Sequence, residues 1–368
     1  MNRTALLIAL TLAPALVAAD DAKVPGNWRR SDPLSAIYLP TTESKNDRCN
    51  QQVVGIVSKS GAYVVSWTMA SEEGKPDQRV VVCRSADAGQ TWSPPQPIDG
   101  HTVEYPGAAS YSWLFQVPKS GRIYCFYLKN DPAVVTVRRD VTGWLKWQYS
   151  DDDGVTWNRV KTRFDMGRGE WTPDDPKVPT SWIGIYSPHV TSRGDVLFAF
   201  ARYGLKEAGS RGYGNWMTEV YFLRLDNVLT EPDPEKLSFT IVPQQPRGLR
   251  IKRAEGMYWG NEPSWIELSD GRIVLFFYNA KQAGTFGPRN PIWIAVGRED
   301  LHARQPVRFA EPVKFMEVAD TPPLGSTYLQ IASYSSVVEH NGKLLLFYND
   351  CKHWVLFKHV PERLILPP

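Results

Sequence analysis

Five times along this chain an apolar strand, a polar turn with a glycine and a second apolar strand follow one another. The turn glycines are Gly61, Gly121, Gly194, Gly271 and Gly342, spaced 60 to 77 residues apart. The clearest copies run from Trp113 to Tyr127, from Pro263 to Phe277 and from Tyr334 to Tyr348. A second hairpin follows behind, as in Glu219-Val-Tyr-Phe-Leu-Arg224 and Pro291-Ile-Trp-Ile-Ala-Val296. A repeat of that length holds four short strands and their loops, the size of one blade of a β-propeller. No amphipathic stretch is long enough for a core helix. The expected fold is all-β, a propeller of five to six four-stranded blades. Ser35-Ala-Ile-Tyr-Leu39 and Trp354-Val-Leu-Phe357 either form a sixth blade or, more economically, complete the last blade and close the ring. Because a propeller needs all its blades to cover its edges, residues 20–368 read as one domain.

Two segments sharpen this reading. Ser85-Ala-Asp-Ala-Gly-Gln-Thr-Trp92 and Ser150-Asp-Asp-Asp-Gly-Val-Thr-Trp157 both spell S-x-D-x-G-x-T-W. Each follows a strand-like run and closes a hairpin. The Asp accepts hydrogen bonds from nearby backbone N–H groups, and the Gly takes a positive φ at no steric cost. The Thr suits the next strand, and the Trp anchors the turn on the core. Asp87 and Asp152 therefore read as turn residues and not as catalysts.

The bulk properties exclude several functions. Pro and Gly number 29 and 27, which suits many turns, and aromatic residues make up 12% of the chain. The net charge of +3, with no basic run interleaved with aromatics, argues against a nucleic-acid partner. Residues 1–19 read as a secretory signal: Arg3 in a basic leader, Ala5 to Val17 as its apolar run, and Val17-Ala-Ala19 before the cut. About 13 apolar residues is short for a membrane span, so an exported protein without a stable span is expected. Cys49, Cys83, Cys125 and Cys351 allow three disulfide pairings and equally well four buried thiols. No Cys/His spacing fits zinc, and neither a metal nor another cofactor is implied.

Ligands of propellers sit where the innermost strands begin. Asp47, Arg48 and Gln51 precede or open the first of these, Tyr105 and Tyr111 the second, and Tyr186 and His189 the third. Tyr258, Asn261 and Glu262 precede the fourth, and Tyr328, Gln330 and Tyr334 the fifth. Tyrosines, amides and two carboxylates suit a sugar, whose hydroxyls need hydrogen-bond partners and whose ring faces stack on aromatics. Trp171, Trp182, Trp216 and Trp259, in loop-like segments, are candidates for that stacking or for capping the core. The expected partner is a glycan or polysaccharide.

The S-x-D-x-G-x-T-W pair resembles the Asp-box, or BNR repeat, of the sialidase (neuraminidase) superfamily. Glu262-Pro-Ser-Trp-Ile-Glu-Leu-Ser-Asp-Gly271 and Ser333-Tyr-Ser-Ser336 are similar to two further motifs of that family. The resemblance implies a six-bladed glycoside hydrolase with Tyr334 as nucleophile, Glu262 as its proton acceptor and Asp77 as general acid, with Glu72 and Glu73 close by. A tyrosine hydroxyl, pKa about 10, is a poor nucleophile until a carboxylate takes its proton. Its neutrality suits an anionic sugar acid, which would repel a carboxylate nucleophile. The family binds that sugar's carboxylate with three arginines, and here the chain departs. Arg48 is offset by about three residues from the first place, Tyr278 holds the second and Gln330 the third. Arg289 and Arg202 are the loop residues able to compensate.

The reading is an exported sialidase-like glycosidase removing a terminal sugar. Gln51, Tyr111, His189, Tyr258, Tyr278 and Gln330 join Arg48 as candidate substrate contacts. Two alternatives stay open. One is a neutral-sugar hydrolase or a uronate lyase, in which His189, beside Tyr186, abstracts a proton. The other is a non-catalytic glycan-binding propeller, which needs neither Glu262 nor Tyr334.

Overall fold

A computed structural model describes residues 35–41, 43, 45–100, 106–133, 139–168, 177–184, 187–191, 193–204, 217–244, 264–278, 289, 291–299, 307–316, 330–332 and 334–366. These residues form five antiparallel sheets, each four strands wide. The first blade holds β2 (Cys49–Val57), β3 (Tyr63–Ala70), β4 (Arg79–Ser85) and β5 (Gln96–Asp99). The second holds β6 (Ala109–Gln116), β7 (Ile123–Lys129), β8 (Trp144–Ser150) and β9 (Asn158–Arg159). In the third, two short pieces, β10 (Ser181–Ile183) and β11 (His189–Val190), share the edge of β12 (Val196–Gly204), followed by β13 (Met217–Leu225) and β14 (Phe239–Val242). The fourth has β15 (Ser264–Glu267), β16 (Arg272–Tyr278) and β17 (Ile292–Glu299), with β18 (Val307–Phe309) and β19 (Val313–Met316) sharing the outer edge.

The fifth blade settles the count that the sequence leaves open. Its own strands are β20 (Ser336–His340), β21 (Lys343–Asp350) and β22 (Trp354–His359). Its outer strand comes from the other end of the chain: β1 (Ser35–Tyr38) pairs with β22, with Ser35 opposite Phe357. Ser35–Tyr38 is thus the closing strand of a fifth blade, and the described residues form five blades and not the six implied by the family resemblance. Closure of this kind satisfies an edge that would otherwise expose a row of unpaired backbone groups.

The five glycines that mark the repeat all have positive φ, between 69° and 89°. A Cβ on any of them would meet nothing within 4 Å, so the backbone conformation alone demands glycine there.

The core lies between blades. One apolar cluster joins blades five and one through Val53, Trp67, Phe347 and Phe357, and another joins one and two through Val64, Leu114 and Tyr127. A third joins two and three through Trp113, Phe126 and Phe198, whose rings stack with centroids 4.0 to 4.2 Å apart. A fourth joins four and five through Phe276, Ile294 and Leu346. Blade three meets blade four through the rings of His189 and Trp265.

The two S-x-D-x-G-x-T-W turns lock neighbouring blades together. Asp87 accepts from Ser85 Oγ (2.7 Å), Thr91 N (2.9 Å) and Thr91 Oγ1 (2.6 Å). Asp152 repeats the set with Ser150 Oγ (2.8 Å), Thr156 N (2.8 Å) and Thr156 Oγ1 (2.6 Å). In each turn two successive residues are left-handed, Ala88 with Gly89 and Asp153 with Gly154. Gly89 lies so close to Phe357 of blade five that a Cβ would sit 2.2 Å from its ring. Trp92 packs on the same phenyl ring, centroids 5.5 Å apart. The second turn docks one blade along: Gly154 rests on Val64, and Arg84 donates to Asp153 O at 2.9 Å.

All four cysteines are buried free thiols, and burial pushes the Cys49 and Cys83 thiols up to about 12. No helix among the described residues is long and apolar enough to cross a membrane.

Candidate functional site

Three inner strands break regular geometry at matching places. Gln52 in blade one, Tyr111 in blade two and Tyr334 at the entrance to blade five are all left-handed, with φ of 59°, 55° and 58°. Such non-glycine residues cost on the order of 1–3 kcal/mol each and persist only where the surroundings hold them. In blade one the pairing runs from Gln51–Thr68 to Val54–Ser66, and in blade two from Ser110–Leu128 to Trp113–Phe126. Each inner strand therefore carries one extra residue, a β-bulge that re-aims the side chains around it. Before blade five the slip is larger, since Ile331 faces Asp350 and Ser336 faces Phe347, and Ala332 is left-handed as well.

The bulges meet at one end of the propeller axis. Tyr111 and Tyr334, both buried, join Val141 and Ile183 in one cluster. Gln52 Oε1 accepts from Thr68 Oγ1 (2.9 Å) and from the backbone N–H of Tyr111 (3.1 Å), so the bulge of blade one supports the bulge of blade two. Tyr111 Oη lies 3.4 Å from Asp140 Oδ2, and Asp140 is fully buried.

Among the described residues two cations adjoin Tyr334. Arg289 Nη2 donates to Tyr334 Oη at 3.0 Å, and Arg289 Nη1 donates to Gln330 Oε1 at 3.0 Å. The guanidinium carbon stands 4.9 Å from the centroid of the Tyr334 ring, and Lys352 Nζ stands 5.8 Å from it. Lys352 is buried and ion-paired to Glu73 at 2.7 Å. It is placed by the turn after β21, where Cys351 and Lys352 are both left-handed and Asn50 N donates to Lys352 O.

The candidates named from sequence divide into groups. Tyr334, Gln330 and Tyr111 lie at the axis end. Gln51 is buried one residue before the first bulge, and both its amide atoms lack a partner among the described residues. Gln52 Nε2 is in the same state. Asp77 lies on the loop between β3 and β4, where its carboxylate accepts from Ser71 N (2.9 Å) and Ser71 Oγ (3.1 Å). Glu73 on that loop, and not Asp77, reaches the Lys352 ammonium beside Tyr334. Arg48 is exposed, and its carbonyl accepts from His353 Nδ1 at 2.7 Å. Burial holds the His353 pKa low, and that hydrogen bond places the proton on Nδ1.

Three expectations land elsewhere. His189 is exposed at the hairpin end of the third inner strand, opposite Leu197, while the left-handed residues lie at the starting ends of theirs. Trp182 is not a loop residue: it is a strand residue, fully buried, donating to Gly143 O at 3.0 Å. Arg202 stacks 4.2 Å over the Tyr221 ring and donates to Met166 O, a packing role. Glu262, Tyr258, Tyr186, Asn261, Tyr105, Tyr328, Trp171, Trp216 and Trp259 lie outside the described residues. Tyr278 ends β16, paired with Ile292. Lys352 and Asp140 escaped the sequence reading because neither opens an inner strand. The only signal for Lys352 was its place just past the apolar run of the last hairpin.

The axis geometry allows the likenesses to known structures to be weighed. The fold is shared with solved sialidases. The Hadza microbial sialidase Hz136 superposes with a TM-score of 0.53 at 14% identity, over 87% of this chain and 67% of that one. The intramolecular trans-sialidase from Ruminococcus gnavus, in complex with oseltamivir carboxylate, gives 0.53 at 13% identity, over 91% and 99%. A protein of unknown function from Dyadobacter fermentans gives 0.53 at 15%, over 89% and 97%. No family model and no curated protein matches the sequence. Identities this low carry the fold and nothing finer.

Proposed function

We propose that this chain is an exported, sialidase-like glycoside hydrolase that removes a terminal sugar acid at the axis end marked by Tyr334. The observation that carries the reading is the fork of Arg289 across Gln330 and the Tyr334 hydroxyl. A guanidinium beside Gln330, the residue that stands where the family resemblance asks for a carboxylate-binding arginine, supports that reading. Guanidinium matches a carboxylate in both charge and geometry. Sialic acid, whose anomeric carbon bears a carboxylate, fits a site in which a cation adjoins the attacking hydroxyl. Fold-sharing with sialidases supports the same class.

In the proposed reaction the Tyr334 oxygen attacks the anomeric carbon and Glu262 takes its proton. Asp77 protonates the leaving oxygen, and water then releases the sugar from the tyrosine. Glu73 is assigned to holding Lys352, because its carboxylate is committed to the ammonium, whereas the carboxylate of Asp77 meets only the amide and hydroxyl of Ser71 among the described residues. Export rests on the signal-like residues 1–19. A lyase built on His189 is not favoured, since that ring lies at the far end of its strand.

The test is release of sialic acid from a chromogenic sialoside by wild-type protein and by Tyr334→Phe. Turnover by the wild type alone supports the reading. Equal turnover by both, or none by either while a neutral glycoside is cleaved, removes it.

A further inference from the structure

A second site lies on the same end of blade two, outside the axis. A cavity of about 530 Å³ is lined by Lys129, Asn130, Trp144, Lys146, Lys161 and Arg163, with Asp131 as its acidic group. The strand register locates it. Ala109 at the start of the inner strand faces Lys129, and Lys129 faces Trp144. These three residues form one row across the blade. With neighbouring strands about 4.8 Å apart, the cavity floor runs from Lys129, roughly 5 Å radially outward from the inner strand that carries Tyr111 two residues on, to Trp144, roughly 10 Å out.

The floor is built and not incidental. Lys146 Nζ donates to the carbonyls of Val160, Lys161 and Thr162 at 2.7, 2.9 and 3.0 Å. Those bonds pin the loop that bears Lys161 and Arg163. Glu235 of blade three holds the same loop by accepting from Lys161 N and Thr162 N. Lys129 pairs with the buried Asp99 at 2.7 Å. Arg163 lies flat on the Trp144 indole, 4.0 Å from its centroid. Burial draws the Lys129 and Lys146 ammonium groups below the ordinary lysine range, outweighing the opposing pull of Asp99.

Two buried atoms in this lining are unpartnered among the described residues, and they differ in kind. Asn130 Oδ1, on a fully buried side chain whose Nδ2 donates to Thr142 O, lacks a donor. Trp144 Nε1 lacks an acceptor. A buried donor or acceptor left unmet costs stability, so an occupant that both donates and accepts is favoured here. Lys129 is paired with Asp99, but Lys146, Lys161 and Arg163 against Asp131 leave an excess of positive charge that calls for an anion. A hydroxylated anion meets all three demands.

We infer that this cavity binds an acidic saccharide, a sugar bearing a carboxylate or sulfate, as an auxiliary subsite beside the axis. Anion binding follows from the cavity alone; its use by a glycan running outward from the axis rests on the glycosidase reading above.

Calorimetric titration tests it, using tetragalacturonate, a sulfated chondroitin tetrasaccharide and maltotetraose against full-length Tyr334→Phe protein and the same protein carrying Lys161→Gln and Arg163→Gln. Both added changes are at exposed positions, and the unfolding temperature checks that the fold survives. At least tenfold tighter binding of one charged probe than of maltotetraose, lost at least tenfold in the double change and weakened by salt, is the expected result. The preferred probe tells carboxylate from sulfate. Equal binding of all three, no binding of either charged probe, or charged binding that the double change leaves intact overturns the inference. Because turnover is not read, a failed glycosidase assignment leaves this outcome untouched.

Discussion

The S-x-D-x-G-x-T-W turns and the axis bulges use the same raw materials, left-handed non-glycine residues and polar side chains, to opposite ends. In the turns every carboxylate oxygen is met within eight residues, Asp87 by Ser85 and Thr91 and Asp152 by Ser150 and Thr156. At the axis, Gln51 is buried with both amide atoms unmet among the described residues, and Gln52 keeps one. A polar group whose bonds close locally holds the chain in shape. One that is buried and left open costs stability unless a ligand completes it. Asp87 and Asp152 therefore hold the chain in shape, and the amide-and-tyrosine end is the one proposed to carry function.

The comparison is broken most sharply by one substitution at each end. Tyr334→Phe removes the proposed nucleophile and should lower kcat on the order of 10³-fold or more. Its unfolding temperature should stay close to wild type, which thermal denaturation checks. Gly89→Ala should do the reverse. The added methyl meets Phe357 at a backbone φ of 88°, so about 1–3 kcal/mol of stability should go, with kcat unchanged. Loss of activity without loss of stability in Gly89→Ala would contradict the division.

Arg289→Met comes next. It deletes a charge-assisted hydrogen bond of about 1.5–3 kcal/mol. kcat/KM for a sialoside should fall roughly 10- to 150-fold, and the deficit should shrink for a sugar lacking the carboxylate. An equal deficit for both sugars would make Arg289 a prop for Tyr334 and not a substrate contact.

The smallest effect is acid lability. Hydrogen bonds from Thr91 and Ser85 depress Asp87 to about 2, from an ordinary value of 3.8. Burial would raise Asp152, but bonds from Thr156 and Ser150 outweigh it and lower it as well. A depressed folded value gives stability that is present above the unfolded value and lost as pH falls through the folded one. The turns should therefore loosen between about pH 4 and pH 2. Asp87→Asn should flatten that part of the stability curve, whereas Tyr334→Phe should leave it unchanged.

Much of this was legible in the sequence, because turn chemistry is local. Glycine spacing gave the blades, and the Ser, Asp and Thr of each S-x-D-x-G-x-T-W turn announce their bonds within eight residues. The N-terminal strand had to pair somewhere, and β22 offered the free edge. What was not legible depends on long-range register. A bulge at Gln52 is visible only once Gln51 is paired with Thr68 and Val54 with Ser66. Lys352 reaches Glu73 across 279 residues of chain, and nothing near either residue reports it. Trp182 looked loop-like because its inner strand is broken after three residues, with β11 taking up the edge later.

The account rests on Tyr334 forming a covalent bond to the sugar. The direct measurement is intact-mass and peptide-mapping spectrometry after incubation with a fluorinated sialosyl fluoride, which forms the intermediate faster than water releases it. The account predicts one added sialosyl group, on the peptide containing Tyr334, and none on Tyr334→Phe. An unmodified protein, or an adduct on another residue that persists in Tyr334→Phe, would contradict it.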